Sequence, residues 1–327
     1  MTESFPIAAH GFVLARDMRA AGRESELYAA ARAGRLERIR TGAYRRPSGA
    51  EAEASGPERD AARYRDLVRA VSISLRTPVF TSYAAIALAR LPIVGAWPKH
   101  VHVMSRDPYG SRRGDVVRVA RVTDDLPVIT TGGLATTSME FSLIQLCRHA
   151  PLAAALVALD AAFHVSRARN APDPYSTIEA VRAEHDRLLP YHGSRRVEAA
   201  LSRATTDSDS PLETMSRLVI EEFGFPEPVL QHRMRLPELH RDALLDFWWP
   251  EHRIVGEADG RGKYMSGGSA ADAVLDEKAR EDAIRSQVAG FVRWDWSDLW
   301  RREPIRDRLL AVGLPVVRRP LHLIVHR

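Results

Sequence analysis

The stretch Leu244-Leu245-Asp246-Phe247-Trp248-Trp249-Pro250-Glu251-His252-Arg253-Ile254-Val255-Gly256-Glu257-Ala258-Asp259 decides how the last third of this chain is read. Two apolar runs are separated by a short connection, Pro250 to His252, and so predict consecutive strands that pair antiparallel. Each run carries one carboxylate among apolar neighbours, Asp246 and Glu257, where an unpaired charge is costly to bury. The period of two puts Glu257 and Asp259 on one face. Clustered carboxylates without an equal set of cations repel one another, and a hard divalent ion relieves that by taking oxygen ligands. Asp246, Glu257 and Asp259 are therefore candidate ligands for Mg2+ or Mn2+. A competing reading leaves the two acids as half-exposed strand ends bonded to nearby arginines. Glycines in Gly256-Glu257-Ala258-Asp259-Gly260-Arg261-Gly262-Lys263-Tyr264 favour the site, because they let a phosphate backbone approach.

Outward from this stretch, helices and strands alternate. Ser210 is a natural N-cap and Pro211 suits the first helical position, which predicts a helix from Pro211 to Phe223. Strands follow at Val229 to Leu236, Ala243 to Trp249 and Arg253 to Ala258. A helix from Ala270 to Ala289 then crosses to a fourth strand, Phe291 to Trp294, and a helix from Asp298 to Val312 closes the unit. One helix, a three-stranded meander and a crossing helix make an α/β sandwich order. Glu213 stands third in its helix after Ser210, where a capping box accounts for it without chemistry. Arginine supplies nearly all the positive charge, and the lysines are Lys99, Lys263 and Lys278. Two of the three fall within or just after the acidic cluster. Lysine changes pKa readily and acts as a point donor, so Lys263 and Lys278 are candidates to orient an attacking water. An exposed place on a charged helix face accounts equally for Lys278.

Upstream, residues 1–50 read as helix (Ala15 to Ala21), stop at Gly22, helix (Glu24 to Ala33), alternating Arg35 to Arg40, a Thr41-Gly42 turn and a second hairpin arm through Arg46. Helix, helix and wing predict a winged helix-turn-helix that binds duplex DNA. Its contacts would be Arg23, Ser25, Tyr28 and Arg32 on the second helix, with Arg45 and Arg46 in the wing. The small polar run Pro47 to Gly56 marks a linker. Residues 57–205 read as a middle α/β domain: helices over Arg59 to Ser74 and Ser82 to Ala89, strands at Val101 to Val103, Val116 to Val119 and Val128 to Thr130, and helices from Thr137 and Pro151. His100, His102, His149 and His164 are scattered along it without metal-ligand spacing, which predicts structural histidines and no catalytic centre. Residues 206–327 form the third domain.

Composition bounds these readings. The 327 residues are 45% hydrophobic and 27% charged, ordinary for a globular chain long enough for two or three domains. A net charge of +5 permits polyanion binding without demanding it. Cys147 is the single cysteine, which leaves no internal disulfide or thiolate cluster. No apolar run reaches membrane-spanning length and the first residues carry no secretory pattern, which predicts a cytoplasmic protein without a membrane partner.

Two resemblances add to this. Ser-Pro-Leu-Glu-Thr (210–214), Phe-Gly-Phe-Pro-Glu-Pro-Val-Leu-Gln (223–231), Leu-Leu-Asp-Phe-Trp-Trp-Pro (244–250), Val-Gly-Glu-Ala-Asp-Gly (255–260), Glu-Lys-Ala-Arg-Glu-Asp (277–282) and Val-Arg-Trp (292–294) resemble the very-short-patch-repair-endonuclease-like branch of the PD-(D/E)XK superfamily. That resemblance covers the last third and implies a restriction-endonuclease-like fold. It implies Asp246 and Glu257 as the metal-binding pair, Glu213 as an accessory acid and Gln231 as a strand residue facing the site. Where the superfamily has a lysine two residues after the glutamate, Asp259 stands here. Gly-Phe-Val-Leu-Ala-Arg-Asp-Met (11–18), Gly-Arg-Leu-Glu-Arg-Ile-Arg-Thr-Gly-Ala-Tyr-Arg (34–45) and Thr-Ser-Tyr-Ala-Ala-Ile-Ala (81–87) resemble antitoxins of the type IV abortive-infection (AbiE) toxin-antitoxin systems, which implies a self-repressing DNA-binding protein with a cognate toxin.

The leading expectation is a DNA-binding protein with a Mg2+-dependent endonuclease domain. The alternative is a non-catalytic repressor or antitoxin with a degenerate nuclease fold. An interaction module, presenting Phe247, Trp248, Trp249, Trp294, Trp296 and Trp300 to a partner protein, is the third.

Overall fold

The computed structural model describes residues 5, 11–47, 54–105, 107–120, 125–166, 171–260 and 270–324. By its contacts the chain divides into two units. The first comprises residues 1–91, 95–149 and 183–194, and the second 92–94, 150–182 and 195–327. Among the described residues are twelve helices and four small sheets, a mixed α/β protein. No described helix is long and apolar enough to cross a membrane.

The first unit begins with β1 (Val13–Leu14), α1 (Ala15–Ala20), α2 (Glu24–Arg32), β2 (Glu37–Arg40) and β3 (Ala43–Arg45). The strands form one sheet in the order β1-β3-β2. Met18, Leu27, Ala30, Leu36 and Tyr44 share a core, so α1 and α2 each turn an apolar face inward. β1 is an addition, since two residues are too short to show a period.

Next comes α3 (Gly56–Ser72), entered through a capping box of Ser55 and Glu58, and then α4 (Tyr83–Leu88), buried along its whole length. β4 (Val101–Met104) runs parallel to β6 (Val116–Val119), and β5 (Ser111–Arg113) pairs antiparallel with β6. β7 (Val128–Thr131) and β8 (Leu134–Thr137) form a hairpin around Gly132 and Gly133. Both turn residues have positive φ, +57° and +81°, as the two-residue hairpin turn requires. The sequence signals neither β5 nor β8, and β5 is an exposed Ser-Arg-Arg with no apolar alternation to reveal it. α5 (Met139–His149) completes this run.

In the second unit, α6 (Leu152–Phe163) packs beside the later helix α9 (Pro211–Glu222). In sequence between them come α7 (Ile178–Leu188), whose residues from 183 on belong to the first unit, and α8 (Ser194–Leu201). The buried carboxylate of Asp160 on α6 accepts from the Thr205 N–H (2.9 Å), the Thr214 hydroxyl (2.8 Å) and Arg217 Nη1 (2.9 Å). Burial raises this carboxyl to about 6 against the pull of Arg217.

A four-stranded sheet follows, in the order β12-β11-β10-β9. It is built from β9 (Val229–Leu236), β10 (Arg241–Trp249), β11 (Ile254–Ala258) and β12 (Gly290–Trp294). β9, β10 and β11 are an antiparallel meander, and β12 lies parallel to β11 after the crossing helix α10 (Ala270–Arg285). One face packs Phe247, Trp249, Ile254 and Trp294 against Leu212, Met215 and Val219 of α9. The other packs Ala243, Leu245, Val255 and Phe291 against Ala283 and Ile284 of α10. A fully buried aromatic such as Trp249 or Trp294 contributes on the order of 2–3 kcal/mol. Phe247, Trp249 and Trp294 are thus core, not a partner surface.

The single closing helix expected from Asp298 to Val312 is two. α11 (Trp296–Arg301) and α12 (Glu303–Ala311) are separated by Arg302 at φ +63°. Pro304 in the first turn of α12 lacks the N–H that a continuous helix would need. Arg302 donates to Glu222 (2.9 Å), which ties the corner down.

Candidate active site

β9 and β10 each turn over once, at facing positions. Leu245 packs with α10 and Phe247 with α9, although residues two apart on a regular strand share a face. On the partner strand Leu230 joins the α9 side while Met234 and Leu236 join the α10 side. The pairing ladder runs through Leu245↔His232 and resumes at Phe247↔Leu230, skipping Asp246 and Gln231. Gln231 adopts φ +47°, a left-handed conformation that costs a non-glycine residue about 1–2 kcal/mol. Strain of this kind persists where surrounding structure over-determines it, and here it accompanies a polar cavity.

The cavity, about 560 Å3, is lined by Glu213, Gln231, Asp246, Glu257, Arg280 and Arg293 with Asp209, Asp259 and Glu277 around them. Gln231 Nε2 donates to Glu213 Oε2 (2.9 Å) and to Asp246 Oδ1 (3.3 Å), linking the first helix to the central strand. Asp246 Oδ2 accepts from the Ala258 N–H (2.9 Å), bridging to β11 just past the Phe247↔Gly256 pair. Glu213 is buried. Its Oε1 accepts from the Ser210 hydroxyl (2.8 Å) and its Oε2 from the Asp209 N–H (2.9 Å). Ser210 caps the Glu213 N–H as the sequence predicts, but the carboxylate reaches one residue further back than a capping box would place it. Burial raises the Glu213 carboxyl, with the Asp209, Ser210 and Gln231 hydrogen bonds opposing.

Glu257 is 6% exposed, so it is no half-exposed strand end, yet arginines do hold it. Arg280 Nη2 donates to its Oε1 (2.7 Å), while Arg280 Nη1 (3.2 Å) and Arg293 Nη2 (3.1 Å) reach Oε2. Arg280 also donates to the Leu244 carbonyl (3.0 Å), and Glu277 Oε1 accepts from both Arg280 (3.2 Å) and Arg293 (2.9 Å). Burial works against the charge on both guanidiniums, and the bonds and charge of Glu257 outweigh it, so their pKa values are raised. Asp259 sits 3.9 Å from Arg293 Nη1.

Glu213, Gln231, Asp246, Glu257 and Asp259 therefore line one cavity. Lys278 is exposed on α10 and does not line it, and Lys263 lies outside the described residues. Sequence reasoning missed Arg280 and Arg293. Arg293 had a readable signal, a charge inside the apolar run Phe291-Val292-Arg293-Trp294. Gly256 serves packing more than substrate approach: a Cβ there would lie 2.5 Å from the Trp294 ring. The cavity's oxygens are hard donors of the kind magnesium takes through one or two carboxylates, with water and phosphate completing its shell. Among the described residues no three His, Cys, Asp or Glu are grouped to hold an ion by themselves. Asp246 and Glu257 are the hard oxygen donors that a divalent ion would take here, and other ligands would have to complete its shell.

The residues expected to touch DNA are divided. Arg23 pairs with Glu26 (2.8 Å), and the Tyr28 hydroxyl donates to Glu24 (2.9 Å). Arg45, 11% exposed, is an interior strut to Asp66 (2.6 Å) and Glu37 (3.1 Å). Ser25, Arg32 and Arg46 are exposed. His100, His102 and His149 are not scattered: their rings pack together, His102 lying 5.0 Å from His100 and 5.3 Å from His149, with Tyr83 stacked on His102. His164 instead stands 3.6 Å from Asp209.

Compared with protein-family models and with curated proteins, the chain matches none.

Proposed function

We propose that the second unit is a PD-(D/E)XK-type hydrolase of DNA phosphodiesters, with a restriction-endonuclease-like core, and that residues 1–50 form a winged helix within a DNA-binding unit. The observation that carries this is the convergence of Glu213, Gln231, Asp246, Glu257 and Asp259 on one cavity where β9 and β10 turn over. Asp246 and Glu257 would hold a divalent ion, which when bound supplies a water of lowered pKa and a countercharge for the phosphate. Gln231 orients Asp246 through its Nε2 and fixes Glu213 beside it. Arg280 and Arg293 hold Glu257 in place and bring positive charge to the position from which Asp259 removes it.

The test is incubation of the purified chain with plasmid, linear, mismatched and single-stranded DNA in Mg2+ or Mn2+. Asp246→Ala and Glu257→Ala should each lower the cleavage rate at least about 100-fold. Cleavage that survives both substitutions overturns the site.

A second reading is favoured by the arginine pairs on Glu257 together with Asp259: a repressor or antitoxin whose nuclease fold no longer cuts. No cleavage and no metal binding by calorimetry select it, and a cognate toxin becomes the expected partner.

A further inference from the structure

We infer that the sugar-phosphate backbone of duplex DNA lies in the groove lined by β2, α3 and the β5-β6 hairpin of the first unit, and not along α2. The inference rests on the reading of this chain as a DNA-acting protein and names where the DNA is held. The groove, about 820 Å3, is lined by Arg38, Arg40, Lys99, Arg113, Asp115 and Arg118 among others. Its one acid is already answered, because Asp115 is held by two nitrogens of Arg40, both at 2.8 Å. Arg38 donates to the Thr41 hydroxyl (2.9 Å), and among the described residues Arg38, Lys99, Arg113 and Arg118 have no carboxylate partner. Arg38, Lys99 and Arg113 are exposed and Arg118 is half-buried.

Among the described residues these are four cations without a carboxylate partner on one open surface, where like charges repel each other. They come from separate elements and three of the four are exposed, with no buried donor converging on one point. That layout suits a row of phosphates and not a single enclosed anion. On α2 Arg32 is exposed, but the arginines facing the start of the helix are paired. Arg19 is bound to Glu24 (2.6 Å) and Arg23 to Glu26 (2.8 Å), so the acids of its first turn neutralise the arginines that face them.

The test is fluorescence anisotropy of a labelled duplex of about 30 base pairs with the full-length chain, across salt concentrations. Replacing Arg38, Lys99, Arg113 and Arg118 together by alanine should weaken binding at least about 100-fold near 50 mM salt. It should also lower the slope of log affinity against log salt by about 3 to 4, close to one for each phosphate no longer neutralised. Arg23→Ala with Arg32→Ala should change affinity less than about 3-fold. Lys99→Glu alone, with its melting curve recorded, guards against a fold defect in the fourfold variant and should also reduce binding. Unchanged affinity in the fourfold variant, a large loss in the α2 variant, tighter binding of duplex RNA, or equal competition by inorganic tripolyphosphate overturns the inference. If the wild type cuts nothing but keeps this salt-dependent binding, the nuclease reading falls and the groove stands.

Discussion

The two units use charge in opposite ways. In the second, Glu257 is almost fully buried and meets two guanidiniums, Arg280 and Arg293, which in turn meet Glu277 and Glu281. In the first, Arg38, Lys99, Arg113 and Arg118 face a groove whose single acid is taken by Arg40. A closed network answers its own charge and fixes geometry. An open set leaves a field for something outside the protein to answer. Sequence composition averages the two into one modest excess of +5 and hides the contrast.

The contrast breaks if the cavity network is not needed for folding. Removing Arg280 and Arg293 together leaves Glu257 buried without a partner, and stripping a buried charge of its partners costs about 3–5 kcal/mol. Urea unfolding followed by tryptophan fluorescence should show that loss. Lys99→Ala with Arg113→Ala, by contrast, should stay within about 0.5 kcal/mol of the wild type. Equal stability of all three proteins would show that the network is as dispensable as the groove.

A smaller effect is expected beside the same glutamate. Gly256→Ala places a methyl 2.5 Å from a Trp294 ring carbon and 3.3 Å from Trp249, with no flexible side-chain end to yield. Overpacking of this sort costs about 1–3 kcal/mol, and displacing Trp294 disturbs the strand that carries Arg293. A melting temperature unchanged from the wild type would count against the tight fit.

The first unit has its own interior test, and it concerns a base kept neutral instead of an acid kept paired. Burial, then His149 and His100, lower the His102 pKa to about 3. The unfolded chain takes up a proton near the ordinary value of 6.5 while the folded chain does not. Stability from this group is therefore complete above the unfolded pKa and is lost as pH falls from 6.5 towards 3. At pH 5 the loss is about 2 kcal/mol. His102→Phe keeps a ring against Tyr83 and removes the proton, so its stability should be flatter between pH 7 and 5. A slope as steep as the wild type's would assign the acid sensitivity elsewhere.

Much of the fold is legible because local signals agree with it. Val229–Leu236 is bounded as a strand by its sequence, and the Ser210-Pro211 start of α9 follows from cap chemistry. What cannot be read depends on strands meeting at particular registers. No glycine or proline marks Gln231 as left-handed, so the joint inversion of β9 and β10 leaves no trace in the alternation. Arg293 stands beside Glu257 only because β12 adds parallel to β11 in the register Glu257↔Arg293. The division of the predicted DNA contacts likewise rests on partners, Asp66 for Arg45 and Glu26 for Arg23, that spacing alone does not rank.

The smallest expected effect separates Lys278 from Arg280, two basic residues on one helix. Rarity draws attention to Lys278, since lysine is scarce in this chain. Helical geometry argues the other way. At about 100° per residue, positions two apart point to nearly opposite sides, while positions three and four apart share a face. Ala283 and Ile284 are buried on α10, which puts Arg280 on the sheet-facing side and Lys278 away from it. Lys278→Ala should accordingly leave unfolding free energy within about 0.5 kcal/mol of the wild type. Any cleavage rate should change by less than about 2-fold, as for an exposed side chain outside a site. Arg280→Lys in the same assays should lose stability despite keeping the charge. A single ammonium cannot reproduce the fork that reaches both oxygens of Glu257 and the Leu244 carbonyl together. If instead Lys278→Ala abolished activity and Arg280→Lys were silent, α10 would have to present a different face to the cavity, and the arginine network would lose its place in the site.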